Sequence, residues 1–491
     1  MDIPARPEAA LVQAAPPERK ASAVPDVRYR LEPHNVFNLD SSTVALLAKA
    51  HRGWVVLDRR DYQLLQSIFT ASEAGDERCL SFSVPILERL HSVGLVAKNG
   101  DQPEHCRMQE VEHTGTLLIK MTGACNYACT YCYDYSPERA GHHVSVEHAT
   151  EIIDALMSIG GSLNVTFHGG EPLLRFKEVK RLVEHCRSHH PDNTIRFTMQ
   201  SNGSLLTEEV VAFLTEHNFS LGISLDGLDA TTDQLRPPKD SKNTASEVFY
   251  RLLREFPDFI RNRCGVLTVL SAANIYTFTD FALWLQDEGV NGLSFTILDP
   301  VGRAGENSGQ IVQPDDLSAL YGTLVEMIDE GRINDLRLSN LMVYMDVLAS
   351  FNSHHICYKG PCGAGAEFLV VDSDGSLRIC DCVLDNFFKV PDGHILALSE
   401  RVSVARERIQ DRHIHLANEG PCRSCPWFNL CGGTCVAKAI GLHGKPNTPY
   451  AMECSISRFI YPELLSRFNK APDSRLFRYH RRHSSLFYDA S

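Results

Sequence analysis

The sequence contains no run of about 18 apolar residues, so none of its 491 residues belongs to a segment built to cross a bilayer as a helix. It also lacks the charged-then-apolar start of a secretory signal. Its first 26 residues are instead rich in Ala, Pro and charge, and they read as a disordered leader. Positive charge is scarce: 48 Lys and Arg face 61 Asp and Glu, a net charge of −13. That balance argues against a nucleic-acid partner held by the whole surface. Cysteine is not scarce. Sixteen thiols without a signal sequence point to metal or redox chemistry in a reducing cytoplasm, not to disulfides.

The chain has room for about three domains. Residues 27–105 read as a small α+β domain. Gly53 to Leu57 is a strand candidate, and Asp58 or Asp61 could cap the helix that follows. Leu64, Leu65 and Ile68 share one face of that helix. A second helix ends near Gly94. From 115 to 314, strand and helix patterns alternate. Strands are expected at Thr116–Met121, Leu163–Phe167, Ile195–Met199, Leu221–Leu225, Val266–Leu270 and Leu293–Leu298. Amphipathic stretches such as His148–Gly160 and Ala245–Phe256 lie between them. Such alternation implies a parallel sheet covered by helices. Residues 315–350 read as a helical connector and 351–456 as a cysteine-rich domain. The tail, 457–491, is basic and aromatic, with Arg475, Arg478, Arg481 and Arg482 among Phe477, Tyr479 and Phe487. It reads as a solvated helix or a partner contact.

Cys125, Cys129 and Cys132 form the spacing C-x3-C-x2-C directly after the first strand of the alternating region. Three close thiolates suit zinc, a set of buried thiols, or a [4Fe–4S] cluster with one iron left open. With Tyr131 before the third cysteine, this loop resembles that of the radical S-adenosylmethionine (SAM) superfamily. The resemblance implies a partial (β/α)6 barrel with its reactive loops at the C-terminal strand ends. It also implies that SAM occupies the open iron and that reduction yields a 5′-deoxyadenosyl radical. Gly169, Gly170, Glu171 and Pro172 resemble the family's SAM-binding GGEP segment. Ser201 and Asn202 resemble the segment near the SAM ribose. Ser224 and Arg236 resemble residues that hold SAM's polar groups, and Asp226 can instead order its turn.

The C-terminal third carries Cys362, Gly375, Cys380, Cys422, Cys425, Cys431, Cys435 and Cys454, with Cys357 just upstream. Taken alone, the Cys-x2-Cys pair also suits zinc. The full spacing resembles the SPASM pattern of peptide-modifying radical SAM enzymes. By that resemblance a first auxiliary cluster takes Cys357, Cys362, Cys380 and Cys435. A second takes Cys422, Cys425, Cys431 and Cys454, giving three [4Fe–4S] clusters in all. Cys382 has no place in this scheme. Cys79, Cys106, Cys186 and Cys264 show no ligand spacing and read as structural thiols. The implied activity is oxidation, by crosslinking of side chains, of a ribosomally made precursor peptide. The N-terminal domain resembles a winged-helix peptide-recognition element, and flavodoxin or ferredoxin would supply electrons. Asp381 is the expected base, with burial expected to raise its pKa. The alternatives are a formylglycine-generating sulfatase maturase and a non-catalytic cluster-binding scaffold.

Overall fold

The computed structural model describes residues 29–73, 84–106, 114–134, 137–191, 194–228, 230–239, 243–299, 303–304, 308–351, 355–358, 360–383 and 385–484. The leader 1–26, Cys79 and Phe487 lie outside the described residues.

Five short strands build the N-terminal part: β1 (Tyr29–Leu31), β2 (His34–Asn38), β3 (Thr43–Ala48), β4 (Trp54–Asp58) and β5 (Val96–Lys98). Strands β2, β3 and β4 form an antiparallel sheet in that order, and β1 pairs with β5. Strand β3 is buried along its whole length because both its faces are covered. Val44, Leu46 and Ala48 pack with Leu65, Leu87 and Leu90 of the helices Arg59–Glu73 and Val84–Ser92. Ala45 and Leu47 point the other way and join the main core of the molecule. Trp54 Nε1 donates to the carbonyl of Leu348 at 2.9 Å. The Phe37 ring meets Trp427 edge-on at 4.8 Å.

The central sheet contains β6 (Thr116–Thr122), β7 (Leu163–Gly169), β8 (Ile195–Ser201), β9 (Ser220–Ser224), β10 (Cys264–Leu270) and β11 (Gly292–Ile297). Neighbours in this run pair parallel, in sequence order. Parallel strands need helical crossovers, and the sequence starts them cleanly. Ser145 and Thr207 cap the helices Val146–Ile159 and Glu208–Glu216 through side-chain oxygens. Thr244 and Glu247 form a capping box on Ala245–Glu255. Phe167, Phe197 and Phe219 stack on adjacent strands, with centroids 5.3–6.2 Å apart.

The sheet extends beyond the six expected strands on both sides. Strand β12 (Arg337–Leu338), between the helices Pro314–Asp329 and Ser339–Ala349, adds parallel to β11. At the other edge, β13 (Phe368–Val371) pairs parallel with β6 and turns back antiparallel into β14 (Leu377–Arg378). Gly375 takes φ +84° in that turn, where an L side chain would be strained. The cysteine-rich hairpin is thus joined to the strand that carries the first cysteine loop.

The described part of the tail is not a solvated helix. Helices Ala451–Lys470 and Arg475–His483 lie against the connector. Tyr479 OH donates to Leu336 O at 2.6 Å and accepts from Leu338 N at 2.8 Å. Arg467 pairs with Asp329 and His480 with Asp346. The arginines read as a basic surface flank an apolar edge, Leu476 and Tyr479, that the spacing alone did not disclose.

Candidate active site

Successive backbone bonds set the loop after β6. Ala128 N donates to Pro237 O at 2.8 Å and Thr130 N to Leu235 O at 3.0 Å. Arg303 N and NH1 donate to the carbonyls of Cys132 and Cys129, each at 3.3 Å. Lys239 Nζ holds Cys125 O at 3.1 Å. The loop is therefore fixed through its main chain, and Cys125 Sγ accepts from Tyr127 N at 3.4 Å. Burial pushes the Cys125 thiol up to about 11 and Cys129 to about 12. Buried thiols ionise only against a compensating cation, which a bound metal group would supply here.

Among the described residues, three ligand atoms that converge within 4.8 Å belong to Cys380, Asp381 and Cys382.

Strand β7 ends against this loop. Gly170 N donates to Thr122 O at 2.7 Å and Glu171 N to Ala124 O at 2.8 Å. A Cβ at Gly170 would lie 1.9 Å from Ala124 O, and one at Gly169 would lie 2.5 Å from Thr122 O. Both positions demand glycine because two backbones touch there.

Gly169, Gly170, Ser201, Asn202, Ser224, Arg236, Tyr131 and the three loop cysteines all border one cavity of about 370 Å³. It lies over the C-terminal ends of β6 to β11, and its size falls in the range of small-molecule pockets. Glu171 and Pro172 do not line it. Both were expected to touch the cofactor, and both are buried. The Glu171 carboxylate is used up beneath the glycines, accepting from Leu173 N, Ser201 Oγ and Asn202 N at 2.9–3.1 Å. Burial raises it to about 7 against those three donors. Glu171 therefore braces the ends of β7 and β8.

Arg236 faces the cavity with its fork already engaged. Nε and NH2 hold both oxygens of Asp226 at 2.8 and 3.0 Å. Asp226 also accepts from Val269 N at 2.9 Å and from the Tyr131 hydroxyl, and the Arg236 guanidinium lies 5.3 Å from the Tyr131 ring centre. Asp226 orders this corner, and Arg236 presents a flank of its guanidinium, not a free fork, to the cavity. Ser224 is held by Gln200 Nε2 at 2.9 Å.

Across the cavity stand Asp381, Cys382 and Val383 of the loop after β14, with Lys438 and Asp299. Tyr133 OH donates to Asp381 Oδ2 at 3.0 Å, and Lys120 Nζ donates to Asp381 O at 3.0 Å. Lys120 is fully buried inside the apolar strand β6 and pairs with Asp134 at 2.6 Å. Burial works to raise the Asp381 pKa, but Lys120, His168 and Tyr133 outweigh it and hold the carboxyl below its usual range. The expected upward shift is thus reversed, and Asp381 is a ready carboxylate. Sequence reasoning missed Lys120, whose signal was a lone charge in TLLIKM. It missed Asp299 and Lys438, which pair at 3.0 Å, because no spacing links residues 139 positions apart.

The remaining thiols fall into two neighbourhoods. The sulfurs of Cys380 and Cys382 lie within 4.8 Å of each other. Cys357, Cys362 and Cys435 lie close enough to Cys382 to feel its charge. Cys422, Cys425, Cys431 and Cys454 act on one another. Arg412, buried, donates to Pro446 O and Gly433 O and sits near thiols of both neighbourhoods.

Residues 119–282 match the Radical SAM superfamily. The chain carries a radical SAM domain. It is 25% identical over 339 residues to a cysteine-type anaerobic sulfatase-maturating enzyme of Clostridium perfringens, covering 65% of this chain and 88% of that one. Native anSMEcpe with bound AdoMet superposes at a TM-score of 0.60 and 22% identity, over 72% of this chain and 99% of that one. Streptococcus suis SuiB bound to its precursor peptide SuiA superposes at 0.53 and 15%, over 87% of this chain and 98% of that one. The two structures establish the likeness of fold. A radical SAM domain marks an enzyme, and the superfamily matched at 119–282 uses a [4Fe–4S] cluster and SAM. No helix among the described residues is long and apolar enough to cross a membrane.

Proposed function

We propose that the chain is a radical SAM maturase that oxidises a ribosomally synthesised precursor peptide, joining its side chains. The observation that carries this reading is one cavity, bordered both by the three-cysteine loop and by the Asp381–Cys382 segment. Cys125, Cys129 and Cys132 would hold the SAM-binding cluster. Gly169 and Gly170 would cradle SAM, with Tyr131, Ser201, Asn202, Ser224 and Arg236 around it. Cys357, Cys362, Cys380 and Cys435 would hold a first auxiliary cluster of SPASM type, and Cys422, Cys425, Cys431 and Cys454 a second.

When bound, SAM and the reduced cluster supply a radical that removes hydrogen from a substrate carbon, and the auxiliary clusters supply a sink for one electron. The protein's own part is positional. The glycine cradle lets backbone reach the ligand, and Glu171 fixes the cradle from below. Asp381, held ionised by Lys120 and Tyr133, accepts the proton that oxidation releases. The N-terminal sheet offers β2 as an edge, with Val36 41% exposed, where an extended peptide could add a strand. SuiB, whose fold likeness spans more of the chain than that of anSMEcpe, was captured with a precursor peptide. A flavodoxin or ferredoxin is the expected electron donor.

The test is anaerobic incubation of the reconstituted chain with SAM, dithionite and each short peptide found encoded beside its gene. The reading expects 5′-deoxyadenosine together with a peptide lighter by two hydrogens. SAM cleavage without any change in peptide mass would sink it. Asp381→Asn should still cleave SAM but lose product formation by on the order of 100-fold or more. A second reading, formylglycine formation on a sulfatase, rests on the likeness to the clostridial enzyme. A cysteine-bearing sulfatase peptide converted to the aldehyde would favour it.

A further inference from the structure

The first auxiliary neighbourhood holds five thiols, one more than a four-iron cluster can use with one outer ligand per iron. The surplus belongs to the pair Cys380 and Cys382, which flanks Asp381. The ligand atoms of these three residues lie within 4.8 Å of one another. Cys382 Sγ donates to Asp381 Oδ1 at 3.6 Å. Two sulfurs this close would reach the same iron, and that iron has a single outer position. The pair also differs in outlook. Cys382 borders the SAM cavity, whereas Cys357, Cys362, Cys380 and Cys435 are not among the cavity's lining residues. The iron served by the pair is therefore the one turned toward the reacting space.

We propose that Cys380 and Cys382 are alternative ligands of one iron of the first auxiliary cluster, exchanging on it at the wall of the SAM cavity. The inference rests on the auxiliary-cluster reading given above. The exchange is balanced: one iron–thiolate bond breaks as another forms, and the incoming thiol's proton ends on the thiolate that leaves. Asp381, within hydrogen-bond reach of Cys382, lies on the proton's way. The consequence is a cluster with a position that can open to the cavity without the loss of its remaining ligands. A heteroatom of the substrate could take that position.

Iron counts on the full reconstituted chain test this, and electron paramagnetic resonance distinguishes the clusters. The wild type should bind about twelve irons. Cys380→Ala and Cys382→Ala should each keep about twelve, because the partner thiol replaces the one removed. The double variant leaves that iron without a thiolate, so its auxiliary paramagnetic resonance signal should shift, whereas each single variant should keep the wild-type signal. A fall to about eight irons in either single variant overturns the exchange, and so does a double variant with the wild-type auxiliary signal. A wild type with about eight overturns the auxiliary-cluster reading itself, an outcome told apart by the wild-type count alone. A variant that failed to fold would lose the loop cluster too, and 5′-deoxyadenosine formation reports on that cluster. Alkylation of the loaded wild type gives an independent answer. Apart from any label on Cys79, Cys106, Cys186 and Cys264, one label divided between the Cys380 and Cys382 positions is expected. Label confined to one of the two, or absent from both, refutes the exchange.

Discussion

The loop cysteines and the C-terminal cysteines are brought together in opposite ways. Cys125, Cys129 and Cys132 sit within eight residues on one loop, and main-chain hydrogen bonds to 235–239 and Arg303 fix that loop. The C-terminal thiols are spread from Cys357 to Cys454 and meet only after a hairpin, the helix Leu398–Asn418 and the helix Ala451–Lys470 have packed. The first arrangement is local and requires little of the fold beyond one strand end. The second is tertiary, so its ligands can be disturbed from far away. Local sites are legible in spacing, and tertiary ones become legible only through contact.

The sharpest way to break the comparison is to remove the local site. Cys125→Ala, Cys129→Ala and Cys132→Ala together should abolish 5′-deoxyadenosine formation. They should also lower the iron count by about four out of about twelve and leave the C-terminal clusters bound. Loss of all iron would show that the two sites are not independent.

A single methyl group should come close to the same functional result. Gly170→Ala places a Cβ 1.9 Å from the carbonyl of Ala124, so the end of β7 or the cysteine loop has to move. A shift of about 1 Å in a bound reactant costs on the order of 100-fold in rate. SAM cleavage should fall by about that factor while the iron count stays whole. Unchanged cleavage would show that the cradle does not position SAM.

What the sequence made legible follows the same division. The six parallel strands showed in their apolar runs, and the glycines of 169–170 showed because backbone contact leaves no room for a side chain. Glu171, expected to touch the cofactor, is buried under the cradle and accepts from Leu173 N, Ser201 Oγ and Asn202 N, an arrangement with no signature in the chain. Arg236 was legible as a cation but not as one already clasped by Asp226, ten residues earlier. Strand β12 is two residues long and carries no periodicity. Lys438 and Asp299 meet only through folding.

Glu171 sharpens the comparison through pH. Its carboxyl holds a proton up to about 7 in the fold, against about 4.5 for the free group. The folded state then binds the proton more tightly than the unfolded state does. That stabilisation is complete below about 4.5 and is lost as pH rises through about 7, by up to about 3 kcal/mol. Thermal unfolding of the loaded chain between pH 5 and 7 should show this fall, and Glu171→Gln should flatten it. Parallel profiles in the two proteins would mean that the three donors at 2.9–3.1 Å already keep the carboxylate ionised.

The smallest expected effect lies at the far end of the tertiary site. Asn429 stands between Cys425 and Cys431, and its Nδ2 donates to Ala48 O at 2.8 Å. It thereby ties the second group of thiols to strand β3 of the N-terminal sheet, while Arg52 Nε reaches back to the Asn429 carbonyl at 3.3 Å. Asn429→Ala removes the side-chain bond and leaves the main-chain one. The loss of a hydrogen bond to a buried acceptor costs about 1–2 kcal/mol. Because that cost falls on the segment bearing Cys425 and Cys431, it should appear as easier local opening there. A chelator should then strip iron from one cluster up to about tenfold faster, with 5′-deoxyadenosine formation unchanged. The cysteine loop, anchored by its own strand end, should not register the change. If SAM cleavage fell in step with iron loss, the local site would depend on the tertiary one, and the contrast between the two would fail.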